Sequence, residues 1–255
     1  MSDTPLGRFC WYELLTTDLE GAQDFYRSVV GWETGAWQGD GPPYITWNND
    51  GTPIGGVMEL PADARAGGVP PHWLPYISTP DVDATAEKAA RLGGAVHHRM
   101  EIPEVGRLAV LADPGGAVFT AYEPSDATPG HDGPPAIGEC SWHELISADW
   151  EAAWSFYSDL FGWEKTTQMD MGEHGIYQMY GREGKEFGGM MTRNEDMPPP
   201  CWFLYMSVPD VHASVKVIED LGGTIVTPPL KIPGESGHIL HGIDPQGAGF
   251  ALHSM

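Results

Sequence analysis

An ungapped internal repeat constrains this chain more than any other feature. The stretch Phe9–Glu33, FCWYELLTTDLEGAQDFYRSVVGWE, returns 131 residues downstream (140 − 9) as Cys140–Glu164, CSWHELISADWEAAWSFYSDLFGWE, with 11 of 25 positions identical. An echo of that length marks a duplicated structural unit. Each copy opens on alternating large side chains (Trp11, Glu13, Leu15; Trp142, Glu144, Ile146), the period of a strand. Asp18 or Asp149 then stands where a helix N-cap belongs, because its carboxylate can accept from the free N–H groups of the first turn. Apolar positions at helical spacing follow: Leu19, Ala22, Phe25, Tyr26 and Val29, or Trp150, Ala153, Phe156, Tyr157 and Leu160. Gly31 or Gly162 ends that helix, and a new strand begins at Trp32 or Trp163.

The rest of each copy repeats too. Segment 70–94, PPHWLPYISTPDVDATAEKAARLGG, matches segment 199–223, PPCWFLYMSVPDVHASVKVIEDLGG, at 12 of 25 positions, again a strand followed by an Asp-capped helix. The prolines Pro42–Pro43 lead into a strand at 44–47, and Asn48-Asn49-Asp50-Gly51 reads as a hairpin turn, since these residues tolerate positive φ. The returning strand carries Gly55-Gly56, matched by Gly188-Gly189 behind Glu183-Gly184; paired glycines in a strand mark sharp curvature or a close backbone approach. A Pro/Gly-rich loop at 61–71 follows, and Asp-Pro-x-Gly at Asp113 and Asp244 reads as the turn joining the last two strands of each copy. The chain therefore comprises four β-α-β-β-β modules, two per copy. The copies occupy 1–123 and 139–255, with residues 124–138, PSDATPGHDGPPAIG, having the composition of a linker.

Composition narrows the function classes. No apolar run approaches the ~20 residues of a membrane-spanning helix, and MSDTPLGR lacks the regions of a signal peptide, so a cytoplasmic location is expected. Cys10, Cys140 and Cys201 make neither a CxxC nor an even framework. With 13 basic and 36 acidic residues the formal charge is −23, which argues against nucleic-acid and anionic-membrane partners; it leaves room for a neutral or cationic small molecule, but a solvated acidic surface that keeps the protein soluble is the stronger reading. GxGxxG at a βαβ turn, GxxxxGK[ST], HExxH and GxSxG are all missing from the sequence. Arg107 and His238, equivalent in the repeat, could meet an anion, though a surface ion pair is the stronger reading.

The D-x-x-x-A-x-x-FY-x-x-x-x-GW pattern at the first helix of each copy, with DPxG before its last strand, resembles the vicinal-oxygen-chelate superfamily. That group includes glyoxalase I, the bleomycin-resistance proteins and the extradiol dioxygenases. The resemblance spans nearly the whole chain and implies an α+β fold of tandem duplicated domains, each a curved, cup-like sheet of two modules, arranged as an internal pseudo-dimer in a monomer or homodimer. It also implies a divalent metal in the cup, held by His and Glu. The ligand positions fall on Trp11, Leu74 and Thr120 in the first copy and Trp142, Phe203 and Ala251 in the second, none a good metal ligand. No cofactor is expected on that reading. A divalent metal remains an alternative only at the displaced set His143, Cys201 and His253, and a one-residue slip sends His143 to the face opposite Trp142.

Glu13 and Glu144 face the cup on this register, two residues past the tryptophans. A desolvated carboxylate there could act as a general base or hold a ligand hydroxyl or amine; a purely structural role is the competing reading. Trp11, Trp142, Tyr76, Tyr205, Met58, Met190 and Met191 are the candidate apolar lining, whereas Trp32 and Trp163 are assigned to the core. Three functions follow: a metal-independent pocket that binds or sequesters a small hydrophobic or aromatic compound; a glyoxalase- or dioxygenase-type enzyme using a displaced metal or glutamate acid/base chemistry; and a structural or regulatory protein with an inert core.

Overall fold

A computed structural model describes residues 4–37 and 44–255, so the expected entry at Pro42–Pro43 lies outside the described residues. The first copy runs β1 (Phe9–Thr16), α1 (Leu19–Val29), β2 (Glu33–Trp37), β3 (Tyr44–Asn49), β4 (Thr52–Glu59), a short α2 (Ala62–Ala66), β5 (His72–Ser78), α3 (Val82–Arg91), β6 (Ala95–Ile102), β7 (Gly106–Ala112) and β8 (Val118–Pro124). The second runs β9 (Cys140–Ser147), α4 (Trp150–Phe161), β10 (Glu164–Asp170), a 3-10 turn at 172–174, β11 (Ile176–Arg182), β12 (Lys185–Thr192), β13 (Cys201–Ser207), α5 (Val211–Asp220), β14 (Thr224–Lys231), β15 (His238–Ile243) and β16 (Gly249–Ser254). The fold is α+β, with two eight-stranded mixed sheets ordered β2-β3-β4-β1-β5-β8-β7-β6 and β10-β11-β12-β9-β13-β16-β15-β14. Each repeat supplies one sheet. The loop at 61–71 differs from expectation in containing α2, which has no buried residue and no side-chain cap.

Local chemistry sets the boundaries. Asp18, Asp81, Asp149 and Asp210 cap α1, α3, α4 and α5, their carboxylates accepting from Gly21, Ala84, Glu151 with Ala152, and His212 backbone N–H groups. Gly162 ends α4 in the left-handed conformation at φ 71°. The β3–β4 and β11–β12 turns place two successive residues at positive φ, Asp50 and Gly51 (47° and 78°), then Glu183 and Gly184 (54° and 76°).

Packing divides the chain differently from pairing. One compact unit gathers the chain up to Trp11 with Pro75–Asp132 and Trp142–Trp202; the other gathers Tyr12–Leu74, Gly133–Ser141 and Phe203–Met255. Each core thus draws one module from each repeat. In the second unit α1 packs on α5, and Phe25, Tyr26, Trp32, Trp47 and Trp73 share a buried cluster with Leu204, Ile218 and Phe250. The Tyr26 hydroxyl, from the FY pair of the first repeat, donates to Asp244 Oδ2 of the second repeat's DPQG turn at 3.1 Å and accepts from Trp73 Nε1 at 3.0 Å. Asp244 Oδ1 in turn holds the Gln246, Gly247 and Ala248 N–H groups. In the first unit α3 packs on α4, and Tyr157, Asp113 and Trp202 come together in the corresponding way, without a well-formed hydrogen bond at Tyr157 Oη, Asp113 Oδ2 or Trp202 Nε1.

The segment with linker composition is tied down. Asp132 pairs with Arg8 and with Arg182, the latter at 2.6 Å, within the first unit. In the second, Asn49 Nδ2 donates to Ile137 O and Trp32 Nε1 to Gly138 O, at 2.9 and 2.7 Å. Trp32 and Trp163 are core residues, 2% and 3% exposed.

Candidate functional site

The duplicated glutamates are each held by a tyrosine. In the second unit Tyr44, at the start of β3, donates to Glu13 Oε2 at 2.5 Å, and Glu13 is 2% exposed. In the first unit Tyr177 of β11 donates to Glu144 Oε2 at 2.9 Å and accepts from Trp142 Nε1 at 2.7 Å. The paired glycines make this reach feasible. Gly56 lies opposite Glu13 and Gly189 opposite Glu144 in the strand register. A side chain at Gly56 would run into the Tyr44 ring, and one at Gly189 into the Tyr177 ring. The glycines therefore clear a path for an aromatic ring to cross its neighbouring strand, the close-approach use of a strand glycine. Cys201 lies in the field of Glu144, and its thiol is pushed up to about 12, mainly by burial and further by that carboxylate.

The second modules carry a row of three side chains across β5-β8-β7 and β13-β16-β15. In the first repeat the register sets Tyr76 opposite Thr120 and Thr120 opposite Val110. Thr120 is fully buried, its Oγ1 without a hydrogen-bond partner among the described residues. Tyr76 packs edge-on to Tyr122 at 6.0 Å, beside Leu108, Val110 and Cys10. In the second repeat the same register sets Tyr205 opposite Ala251 and Ala251 opposite His241. There the Tyr205 hydroxyl lies 2.7 Å from His241 Nε2, over the alanine, and Phe203 meets the imidazole edge-on at 5.8 Å. Burial lowers the His241 pKa to about 4, so the imidazole is neutral at pH 7.

The other expected residues scatter. His143 is turned into the first unit's core, stacked on Phe9 at 3.8 Å with its Nδ1 2.8 Å from Phe187 O, and burial lowers its pKa to about 4. Strand alternation accounts for this, since His143 neighbours Glu144 and must point the other way. Met190 sits opposite Leu145, is fully buried, and so lies on the face away from Glu144; it belongs to the core, not to a lining. Met58 shares the Glu13 side through its pairing with Leu15 but is 42% exposed. Trp11 is half-buried. His253 bonds Ser141 Oγ through Nδ1 and Ser236 O through Nε2, at 3.0 and 2.8 Å. Both of its ring nitrogens are engaged, and no group of three or more His, Cys, Asp or Glu that could hold a metal occurs among the described residues. The donors do not fit the superfamily's divalent ion: its ligand positions carry indole, aliphatic, phenyl and hydroxyl groups in place of imidazole and carboxylate. Arg107 pairs with Asp83 and Glu123, an ion-pairing role as expected.

Three residues escaped the sequence reading: Tyr44, Tyr177 and His241. The two tyrosines had a signal, since each stands 12 residues before the second glycine of its pair (56 − 44; 189 − 177). His241 had none beyond replacing Val110 in the repeat.

Known proteins agree with this architecture. Residues 12–122 match the family model described as a glyoxalase-like domain, and residues 137–252 match that of the glyoxalase/bleomycin resistance protein/dioxygenase superfamily. The chain belongs to the vicinal-oxygen-chelate superfamily, as two glyoxalase-like domains in tandem. It is 29% identical over 248 residues to the putative glyoxylase CFP32 of Mycobacterium tuberculosis, covering 95% of this chain and 92% of that one. It is 28% identical over 261 residues to the anthracycline biosynthesis protein DnrV of Streptomyces peucetius, covering 96% and 92%. Among solved structures, the Mn(II)-bound glyoxalase of Novosphingobium aromaticivorans superimposes with TM-score 0.65 at 15% identity, over 100% of this chain and 83% of that one. The 2,2',3-trihydroxybiphenyl 1,2-dioxygenase of Sphingomonas wittichii RW1 gives 0.66 at 14%, over 100% and 91%. At such identities these two likenesses bear on fold alone.

Proposed function

We propose that the protein binds a small hydrophobic or aromatic molecule through a polar–aromatic site that uses no divalent metal. The observation that carries this reading is the Trp142–Tyr177–Glu144 hydrogen-bond chain, echoed by Tyr44 and Glu13 in the other repeat. A carboxylate accepts at about four lone-pair sites, so a ligand hydroxyl or amine can share Glu144 with Tyr177. The indole and phenol beside it offer flat apolar surface with a polar tip, the usual make-up of a small-molecule site. The strong negative charge favours neutral or cationic ligands. The name of the Streptomyces relative, which refers to anthracyclines, is consistent with a fused aromatic ligand.

1-Naphthol, a neutral aromatic alcohol, is the probe. The wild type should gain thermal stability with its concentration, following RT ln(1 + [L]/Kd), or about 2.7 kcal/mol at a hundredfold excess over Kd. Glu144→Gln and Tyr177→Phe should each weaken binding tenfold or more. No stabilisation of the wild type by 1-naphthol or by fused-ring aromatic alcohols and amines would refute the reading. The second reading, an enzyme in which Glu144 moves a proton, is favoured by the glyoxylase name of the mycobacterial relatives. It requires a turnover that Glu144→Gln abolishes while binding is kept.

A further inference from the structure

The two repeats have one sheet plan but different chemistry on the row through Thr120 and Ala251, the positions that the superfamily resemblance implies for a metal ligand. In the first repeat the row is Tyr76–Thr120–Val110, and in the second Tyr205–Ala251–His241. Tyr205 and His241 stand on strands separated by β16, about 9–10 Å apart in backbone terms, since adjacent strands lie about 4.8 Å apart. Their side chains meet at 2.7 Å because the residue between them is alanine, whose single methyl lies beneath the contact. A carboxylate or any longer side chain at 251 would occupy the space in which they meet.

The second row lies on the sheet face away from the second unit's hydrophobic cluster, with Tyr205 and Ala251 themselves buried. Leu204 and Met206, the neighbours of Tyr205, are buried in the second unit's hydrophobic cluster, as are Leu240 beside His241 and Phe250 and Leu252 beside Ala251. Alternation then sends Tyr205, His241 and Ala251, together with Phe203, to the opposite face. His241 Nε2 is engaged by the tyrosine, while its Nδ1 makes no hydrogen bond among the described residues. Where the neutral imidazole accepts from Tyr205 at Nε2, it carries its proton on Nδ1.

We propose that Tyr205 and His241 form a metal-free binding site in the second repeat for the carbonyl oxygen of a small aromatic ketone or aldehyde. Tyr205 donates to Nε2 and thereby fixes the tautomer; the Nδ1–H donates to the ligand oxygen. Phe203, edge-on to the imidazole, limits its rotation and supplies apolar surface. The first repeat lacks the imidazole at Val110 and has no counterpart. This inference goes beyond the proposed function, adding a site in the other unit, and it rests on that reading only for the ligand's being aromatic.

The test uses the full chain and acetophenone with a 13C-labelled carbonyl, which accepts but cannot donate. Binding is followed by tryptophan fluorescence and the carbonyl by infrared difference spectroscopy. The wild type should bind it and shift the carbonyl stretch to lower frequency. His241→Val, which copies Val110, should weaken binding at least tenfold and leave any residual bound carbonyl at its unbonded frequency. Ala251→Leu retains both partners and should separate them, with the same loss, so the conclusion does not depend on one variant's folding. Histidine 15N spectra of the wild type should give His241 as the Nδ1–H tautomer, unprotonated at pH 6. Failure of the wild type to bind acetophenone, an unshifted carbonyl, an Nε2–H tautomer, or undiminished affinity in His241→Val would each overturn the assignment. The proposed function stands or falls separately, on 1-naphthol and Glu144→Gln.

Discussion

At the residue scale, one step along β9 separates opposite chemistries. Glu144 accepts from a tyrosine, whereas His143 is sealed against Phe9 and held neutral. The histidine makes a linkage prediction. Its folded pKa, about 4, lies below the unfolded value near 6.5, so the unfolded chain binds the extra proton first. Its contribution is complete above pH 6.5 and is lost as pH falls from there to about 4, by roughly 3 kcal/mol in total. The buried carboxyls Asp113 and Asp244, raised by burial, act in the opposite sense. A difference measurement isolates the histidine: in urea unfolding between pH 7 and 4, the stability of wild type minus that of His143→Phe should fall by roughly 3 kcal/mol as pH falls. Parallel curves would mean His143 does not carry the dependence. Gly189 makes a second prediction. Gly189→Ala places a methyl in the Tyr177 ring and should cost about 1–3 kcal/mol, the usual penalty of overpacking. It should also lower 1-naphthol affinity, because Tyr177 must leave Glu144.

At the scale of elements, the strands, the four capped helices and the turns were legible because each announces itself locally, through an aspartate cap, a glycine stop or a DG or EG turn, whereas the uncapped α2 was not. Which elements share a core was not legible. Apolar faces of α1 and α4 are written in the sequence, but nothing local says that α1 meets α5 or that α4 meets α3. The FY and DPxG motifs, read as marks of a family, are partners: a tyrosine of one repeat bonds the turn aspartate of the other. The candidate site was legible in its glutamates and Trp142, and illegible where it depends on a ring crossing a strand at Gly189 or a contact spanning Ala251. The buried triads differ between units, which gives an element-level test. Tyr26→Phe leaves Asp244 and Trp73 without a hydroxyl and should cost about 1–3 kcal/mol, the penalty for stranding buried polar groups. Tyr157→Phe removes a hydroxyl that makes no well-formed hydrogen bond and should cost less. Equal losses in urea midpoints would show that the two triads are equivalent in solution.

For the whole molecule, pairing and packing partition the chain along different lines. The sheets follow the repeats, while each core joins the first module of one repeat to the second module of the other. The repeat at 139–255, made alone, would retain its strand-pairing partners and lose half of each core that its helices enter. Large apolar side chains are then uncovered. Phe156 and Phe161 of α4 pack on Phe119 of the first repeat, and Phe250 on Phe25 and Tyr26. Burying a phenyl group is worth about 1.5–3 kcal/mol, and a domain's whole stability is only about 5–15 kcal/mol, so several such losses exceed what one repeat can bear. The fragment 139–255 should therefore show no cooperative unfolding as a monomer. Mixing it with the fragment 1–123 should restore a single transition and near-ultraviolet dichroism resembling the intact chain. A monomeric 139–255 that unfolds cooperatively on its own would mean that each repeat holds its own core, and that the pairing of modules across the repeats follows from folding without being required for it.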